Sequence, residues 1–141
     1  MGTITYNKVL KTIINKGLLR NDNAGDQELT IVGKQFFGDD YIGTFPSDKI
    51  PKKNGYMIVN LDNSSQGGSH WIALYQKNGK KYVYDSFGRK TKKILPSLKG
   101  GSIFDAEYDP EQGIREGNCG ARSMSFLYVL DKLGLDVAMT I

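Results

Sequence analysis

The chain has 141 residues, of which 39% are hydrophobic and 24% are charged, and its formal net charge is +4. This balance is typical of a globular protein and excludes a largely disordered chain, and the length fits a single domain over residues 1–141. No apolar run is long enough for a membrane helix, and the first residues lack the apolar core of a signal peptide, so we expect neither a membrane nor a secreted protein.

Two helices are predicted at the start of the chain. Residues 5–17 carry apolar side chains at helical spacing. A second, shorter helix is predicted from Asp26, because Leu29 and Val32 then fall on one face. Residues 38–53 are rich in Gly, Pro and Asp, and we predict a connecting segment there.

Strands are predicted in the middle of the chain. Residues 56–61 form a nearly continuous apolar run, which suits a strand buried on both faces. Residues 71–76 and 81–84 are two further strand-like runs joined through Asn78-Gly79. This dipeptide accepts the positive φ angles of a type I′ turn, so the two runs are predicted to form a β-hairpin.

The second half of the chain ends in a core helix. Residues 89–101 are basic and irregular, 103–108 are a strand candidate, and 109–118 are a polar loop. From 119 to 133 the pattern is helical and apolar almost all round, which places this helix in the middle of a core. The order of helices, strands and a final helix favours an α+β fold.

The chain contains one Cys and one His, which excludes an internal disulfide and a Cys/His structural zinc site. Cys119 begins the last helix, where unpaired N–H groups favour a thiolate and can hold an oxyanion. His70 begins one arm of the hairpin and Asp85 ends the other, so antiparallel pairing places them side by side. Asp85 can then fix the tautomer of an imidazole that activates the thiol. A small buried Cys and a turn-forming Asp are the alternatives.

Gln112 precedes Cys119 by seven residues, so its amide can donate to the same oxyanion as the helix N–H groups. His70-Trp71, Asp85, Gln112 and Cys119-Gly120, in that order, resemble adenain-type cysteine proteases. This family comprises the adenovirus maturation protease and related enzymes of virophages, giant viruses and Polinton-type elements. The matching segments are 27–29, 31–32, 41–45, 58–71, 85–88, 112 and 119–120.

The resemblance implies a thiol endopeptidase with papain-like chemistry and a small mixed sheet packed on a central helix that starts at the nucleophile. Cys119 would be that nucleophile, and His70 the general base and later the general acid. Asp85 would be the orienting carboxylate. Gln112 and the backbone N–H of Cys119 would form the oxyanion hole.

Gly68 and Trp71 are expected to border the substrate groove. Glycine allows a close approach of the backbone, and the Trp71 ring narrows the passage beside His70. The resemblance agrees with this expectation, since such proteases prefer Gly at or next to the cut and an apolar residue further upstream.

The resemblance also implies partners and a location. The substrates would be viral structural precursor proteins, cleaved during maturation in the virion or in the cytoplasm or nucleus of the infected cell. We expect a monomer that requires no cofactor. Adenain is activated by a peptide that bonds through a second Cys, which this chain lacks, so no disulfide-linked activator is expected.

A basic cluster follows Asp85 and consists of Arg89, Lys90, Lys92 and Lys93. A solvated loop is the simpler interpretation. The alternative is a contact with the phosphates of DNA, which the resemblance suggests as an activator.

Two other functions remain open at this point. One is a protease that removes ubiquitin-like modifiers, with the same chemistry and another substrate. The other is a non-enzymatic basic scaffold with the same fold, although the complete set of candidate catalytic residues disfavours it.

Overall fold

The computed structural model describes residues 2–19, 24–65, 70–98, 100–106 and 118–141, which form a mixed β-sheet with most of the helices on one face. The helices are α1 (Gly2–Asn15), α2 (Asp26–Phe37), α3 (Thr91–Ile94), α4 (Cys119–Leu133) and α5 (Leu135–Ala138), with a short 3-10 helix at Gly38–Asp40. The strands are β1 (Tyr41–Phe45), β2 (Gly55–Asn60), β3 (Trp71–Lys77), β4 (Lys80–Tyr84) and β5 (Ser102–Asp105). The prediction of an α+β fold is confirmed.

In the described residues the sheet has five strands in the order β1-β2-β3-β4-β5. Strand β3 runs antiparallel to both of its neighbours, β2 and β4, whereas β1 runs parallel to β2 and β5 runs parallel to β4. The predicted turn between β3 and β4 is confirmed, with positive φ angles of 52° at Asn78 and 82° at Gly79. This hairpin brings the start of β3 and the end of β4 to the same end of the sheet.

Alternate residues of the central strands enter two separate cores, because successive side chains point to opposite faces. Ile58 of β2 and Ala73 of β3 belong to the core beneath the helices. Met57 and Ile72 belong to a second core, which Leu95 and Leu98 cover from the other side. The prediction that β2 is buried on both faces is therefore confirmed.

Helix α4 lies at the centre of the helical layer, where it packs on α1, α2 and α5 and on strands β2 and β3. Ten of its 15 residues are buried, which confirms the prediction of a core helix. Gly134 directly follows the last residue of the helix. Its φ of 95° is readily adopted by glycine but is strained for other residues.

A ladder of aromatic rings crosses the sheet on the helical side. Tyr56, Tyr75, Tyr82 and Phe104 pair directly across adjacent strands, with ring centroids 5.2, 5.7 and 5.2 Å apart along the ladder. Aromatic cross-strand pairs each stabilise a sheet by up to about 1 kcal/mol. The ladder thus helps to hold β3 and β4 in the register that places His70 and Asp85.

Three of the predicted boundaries were wrong. Helix α1 begins at Gly2 rather than at residue 5. The segment 38–53 is not only a connection, because β1 lies within it. The basic segment 89–101 contains helix α3. The predicted loop 109–118 lies outside the described residues except for Asn118.

Candidate active site

Three side chains meet at the end of the sheet opposite the hairpin turn. His70 directly precedes β3, Asp85 directly follows β4, and Cys119 is the first residue of α4. All three are buried, with 7%, 5% and 6% of their surface exposed, respectively. The fold therefore brings together the residues that the sequence singles out as nucleophile, base and carboxylate.

The His70 ring is held by a carboxylate and by an aromatic ring. Its Nε2 lies 2.6 Å from Oδ1 of Asp85, which leaves Nδ1 for the Cys119 thiol. The ring also stacks on Phe87, with centroids 4.9 Å apart and planes 24° from parallel. These contacts fix both the direction of the Nε2–H bond and the plane of the imidazole.

The Asp85 carboxylate receives donors at both oxygens. Oδ2 accepts from Nε of Arg89 at 2.8 Å and from the Arg89 backbone N–H at 3.1 Å. Oδ1 accepts from the Phe87 backbone N–H at 3.3 Å, in addition to His70. Burial by itself raises the pKa of Asp85, but the hydrogen bonds from His70 and Arg89 outweigh burial and lower the pKa to about 2.

The thiol of Cys119 lies among donors that favour its ionised form. Burial alone raises the pKa of Cys119, but the hydrogen bond with His70 and one from the Trp71 backbone N–H, at 3.4 Å from Sγ, outweigh burial and lower the pKa. Burial likewise lowers the pKa of His70, and its hydrogen bonds to Asp85 and Cys119 outweigh that effect and raise it. Both shifts favour a thiolate–imidazolium pair.

Trp71 makes three hydrogen bonds near the thiol, one of which is the bond from its backbone N–H to Sγ of Cys119. Its indole N–H donates to the Ala24 carbonyl at 2.9 Å, and its own carbonyl accepts from the Ser123 hydroxyl at 3.3 Å. The side chain borders a cleft of about 380 Å³. The other lining residues of this cleft are Gly25, Asp26, Thr44, Phe45, Pro46, Asn60, Asp62, Asn63 and Ser64. Trp71 therefore borders a cleft, and its predicted role as a wall of the substrate groove stays a prediction.

A partly buried hydrogen-bond network lies behind the site. The hydroxyls of Tyr6 and Tyr84 lie 2.6 Å apart, and Tyr84 directly precedes Asp85. Arg122 approaches the Tyr6 hydroxyl at 3.4 Å and donates from Nε to Oδ1 of Asn118 at 3.0 Å. Since Asn118 directly precedes Cys119, the network joins the two chain segments that carry the carboxylate and the thiol.

The other predicted site residues fall into two groups. Gln112 and Gly68 are outside the described residues. All four residues of the basic cluster are predicted nucleic-acid contacts. Arg89 forms an ion pair with Asp85, whereas Lys90, Lys92 and Lys93 are exposed.

Sequence reasoning missed the roles of Phe87 and Arg89 in the site. The sequence carries no signal that separates Arg89 from the neighbouring lysines, because all four residues form one basic cluster in a segment with no regular spacing.

The arrangement suits nucleophilic chemistry. A thiol with a lowered pKa, an imidazole with a fixed tautomer and the N–H groups of the first turn of α4 lie in one place. In the part of the chain that is described, no three His, Cys, Asp or Glu side chains come together as metal ligands would. The described helices also include none that is long and apolar enough to cross a membrane.

No protein-family model matches the chain, and the search of curated proteins found no match either. Function must therefore be inferred from the geometry of the site and from the order of its residues along the chain.

Proposed function

We propose that the protein is a cysteine endopeptidase of the adenain type, with Cys119 as the nucleophile, His70 as the general base and acid, and Asp85 as the orienting carboxylate. The observation that carries this proposal is the chain of contacts from Asp85 through His70 to Cys119. A buried His with one ring nitrogen 2.6 Å from a carboxylate and the other available to a thiol is the arrangement that activates such nucleophiles.

The reaction begins when the Cys119 thiolate attacks a peptide carbonyl carbon and forms a C–S bond. The resulting oxyanion accepts hydrogen bonds from N–H groups at the start of α4 and from Gln112. When the intermediate collapses, the C–N bond breaks and His70 donates its proton to the leaving amine. Water then attacks the thioester while His70 takes a proton from it, and the C–S bond breaks to release the acid and the thiol.

The proposed substrates are viral structural precursor proteins that are cleaved during particle maturation. The cleft beside Trp71 offers a path for the substrate on the acyl side of the cut, with Phe45 and Pro46 as apolar contacts. We infer a preference for Gly next to the scissile bond and for an apolar residue further upstream, because Trp71 narrows the passage. Removal of ubiquitin-like modifiers is the alternative with the same chemistry.

DNA is proposed as a further partner at Lys90, Lys92 and Lys93, whose side chains are exposed. Lysines that neutralise phosphates release counterions, so such binding weakens steeply as salt is added. A second group of lysines lines a cavity of about 570 Å³ near the hairpin turn, away from Cys119. Its members are Lys52, Lys53, Lys80 and Lys81.

The proposal is tested by labelling and by cleavage. Iodoacetamide should alkylate wild-type Cys119 faster than a free thiol at mildly acidic pH, and His70→Ala should remove that advantage. A peptide library read by mass spectrometry, alongside a modifier-linked reporter, then identifies the substrate class. Cys119→Ala is the matched control, since it changes little volume. Wild-type cleavage by this variant would exclude the mechanism, and absence of both fast alkylation and cleavage would favour the scaffold function.

A further inference from the structure

The side chain of Arg89 contacts two residues that hold His70. Its Nε lies 2.8 Å from Oδ2 of Asp85, and its guanidinium carbon lies 5.0 Å from the centroid of the Phe87 ring. We propose that Arg89 is a positioning residue of this site: it fixes the Asp85 carboxylate and the Phe87 ring in the orientation that holds the imidazole toward Cys119. This inference rests on the proposed function of Cys119 as the nucleophile.

The two carboxylate oxygens of Asp85 accept hydrogen bonds from different groups. Oδ1 faces His70 and the Phe87 N–H, whereas Oδ2 receives both the Nε and the backbone N–H of Arg89. Arg89 also approaches Oδ1 from Nη2 at 3.5 Å, so its planar fork spans the carboxylate. Rotation of the carboxylate would break the contacts on Oδ2, and the lone pair of Oδ1 therefore stays aimed at His70.

Arg89 also balances the negative charge of Asp85 when the reaction removes the positive charge of His70. The Asp85 side chain is fully buried, and an isolated carboxylate in such a place tends to take up a proton. When His70 gives its proton to the leaving amine, the imidazole becomes neutral. Arg89 then remains as the cation in contact with Asp85, so the carboxylate stays ionised through the cycle.

The charged and titratable groups around the site are few among the described residues. Asp85 faces His70 and Arg89, and His70 faces Asp85 and Cys119. Cys119 faces His70. Arg122, the nearest charged residue on α4 after Cys119, points to Asn118 and Tyr6 instead. Substitution of Arg89 therefore changes one defined contact in this chain of groups.

The test measures the rate of Cys119 alkylation by iodoacetamide as a function of pH, and it needs no peptide substrate. In Arg89→Gln, Asp85 should take up a proton at higher pH. Without its anionic partner, the His70 imidazolium then gives its proton to the Cys119 thiolate, so the reactive thiolate is lost at higher pH than in wild type. The acid limb of the profile should move to higher pH by at least one unit, which is about tenfold in rate on its slope. Arg89→Lys, which keeps the charge without the fork, should recover part of the shift.

The matched control is Lys11→Gln, which removes one positive charge from an exposed position on α1 and should leave the limb in place. An Arg89→Gln variant that is folded by circular dichroism and keeps the wild-type limb would overturn the proposal. If that variant does not fold, Arg89→Lys decides, and an unchanged limb in it overturns the proposal. A wild-type acid limb that lies no lower in pH than that of a free thiol would instead reject Cys119 as the activated nucleophile.

Discussion

The substitution Asp85→Asn tests the centre of the site with an almost unchanged shape. The carboxylate accepts hydrogen bonds at both oxygens, from His70 on one side and from Arg89 on the other. An amide has one oxygen and one NH₂ group, so whichever way it turns, a donor faces a donor. The variant therefore loses a buried charge and leaves either His70 or Arg89 badly paired.

The stability effect follows from the pKa of Asp85, which is lowered from 3.8 to about 2 in the folded protein. A shift of this size corresponds to about 2 kcal/mol in the free energy of unfolding, at ~1.4 kcal/mol per unit. Because the pKa is depressed on folding, this contribution is present above the unfolded value near 4. It is lost as pH falls through the folded value near 2.

We therefore expect wild type to exceed Asp85→Asn in unfolding free energy by at least about 2 kcal/mol at pH 7. The pH-dependent part of this difference should disappear between pH 4 and 2. Urea denaturation at pH 7, 5 and 3 measures the difference in unfolding free energy between the two proteins. The control is Asp136→Asn, which changes an exposed helical position. A difference between wild type and Asp85→Asn that stays constant down to the acid unfolding of the protein would refute this assignment.

The same variant should lose activity more severely than stability. Without the carboxylate, His70 adopts the wrong tautomer or orientation, and we expect turnover to fall by about 10²- to 10⁴-fold. Alkylation of Cys119 at neutral pH should slow as well, since the imidazolium no longer has its anionic partner. Wild-type turnover in a folded Asp85→Asn protein would mean that the carboxylate does not orient His70.

Three further predictions concern other parts of the chain. Gln112→Ala should reduce turnover by about 100- to 1,000-fold, and a change of less than about threefold in peptide cleavage would exclude Gln112 from the oxyanion hole. Lys92→Gln combined with Lys93→Gln should flatten the salt dependence of DNA binding in an anisotropy titration, whereas no binding at low salt would leave these lysines as a solvated loop. Gly33→Ala should destabilise the fold by roughly 1–3 kcal/mol in urea, because its Cβ would lie 2.5 Å from the Tyr41 ring, and a wild-type midpoint would contradict that packing.

The sequence predicted the juxtaposition of His70 and Asp85 because one short turn controls it. Asn78-Gly79 selects a tight hairpin, and the hairpin register then fixes which residues lie at its open end. Helix α4 was predictable for a related reason, since its apolar residues cover nearly the whole circumference. Both predictions depend on local patterns that require no knowledge of distant contacts.

Other features depend on contacts between distant parts of the chain. Strand β1 has only five residues, contains Gly43 and an irregularity in its pairing, and lies parallel to β2. Its pairing therefore gives no hairpin signal in the sequence. Phe87 and Arg89 reach Asp85 and His70 only through the turn after β4, so a charge pattern alone could not separate Arg89 from the exposed lysines beside it.

The position of the thiol relative to the carboxylate depends on more than His70. Tyr6 of α1 and Tyr84 of β4 are 78 residues apart, and their hydroxyls meet at 2.6 Å in the interior. Arg122 extends this network to Asn118, so the residues that precede Asp85 and Cys119 are tied to one helix at the start of the chain. Buried networks of this kind rigidify what they connect when all their members are paired. Helix α1, which contributes no group to the reaction, is thus part of what holds the nucleophile and the carboxylate at a fixed separation, with His70 between them.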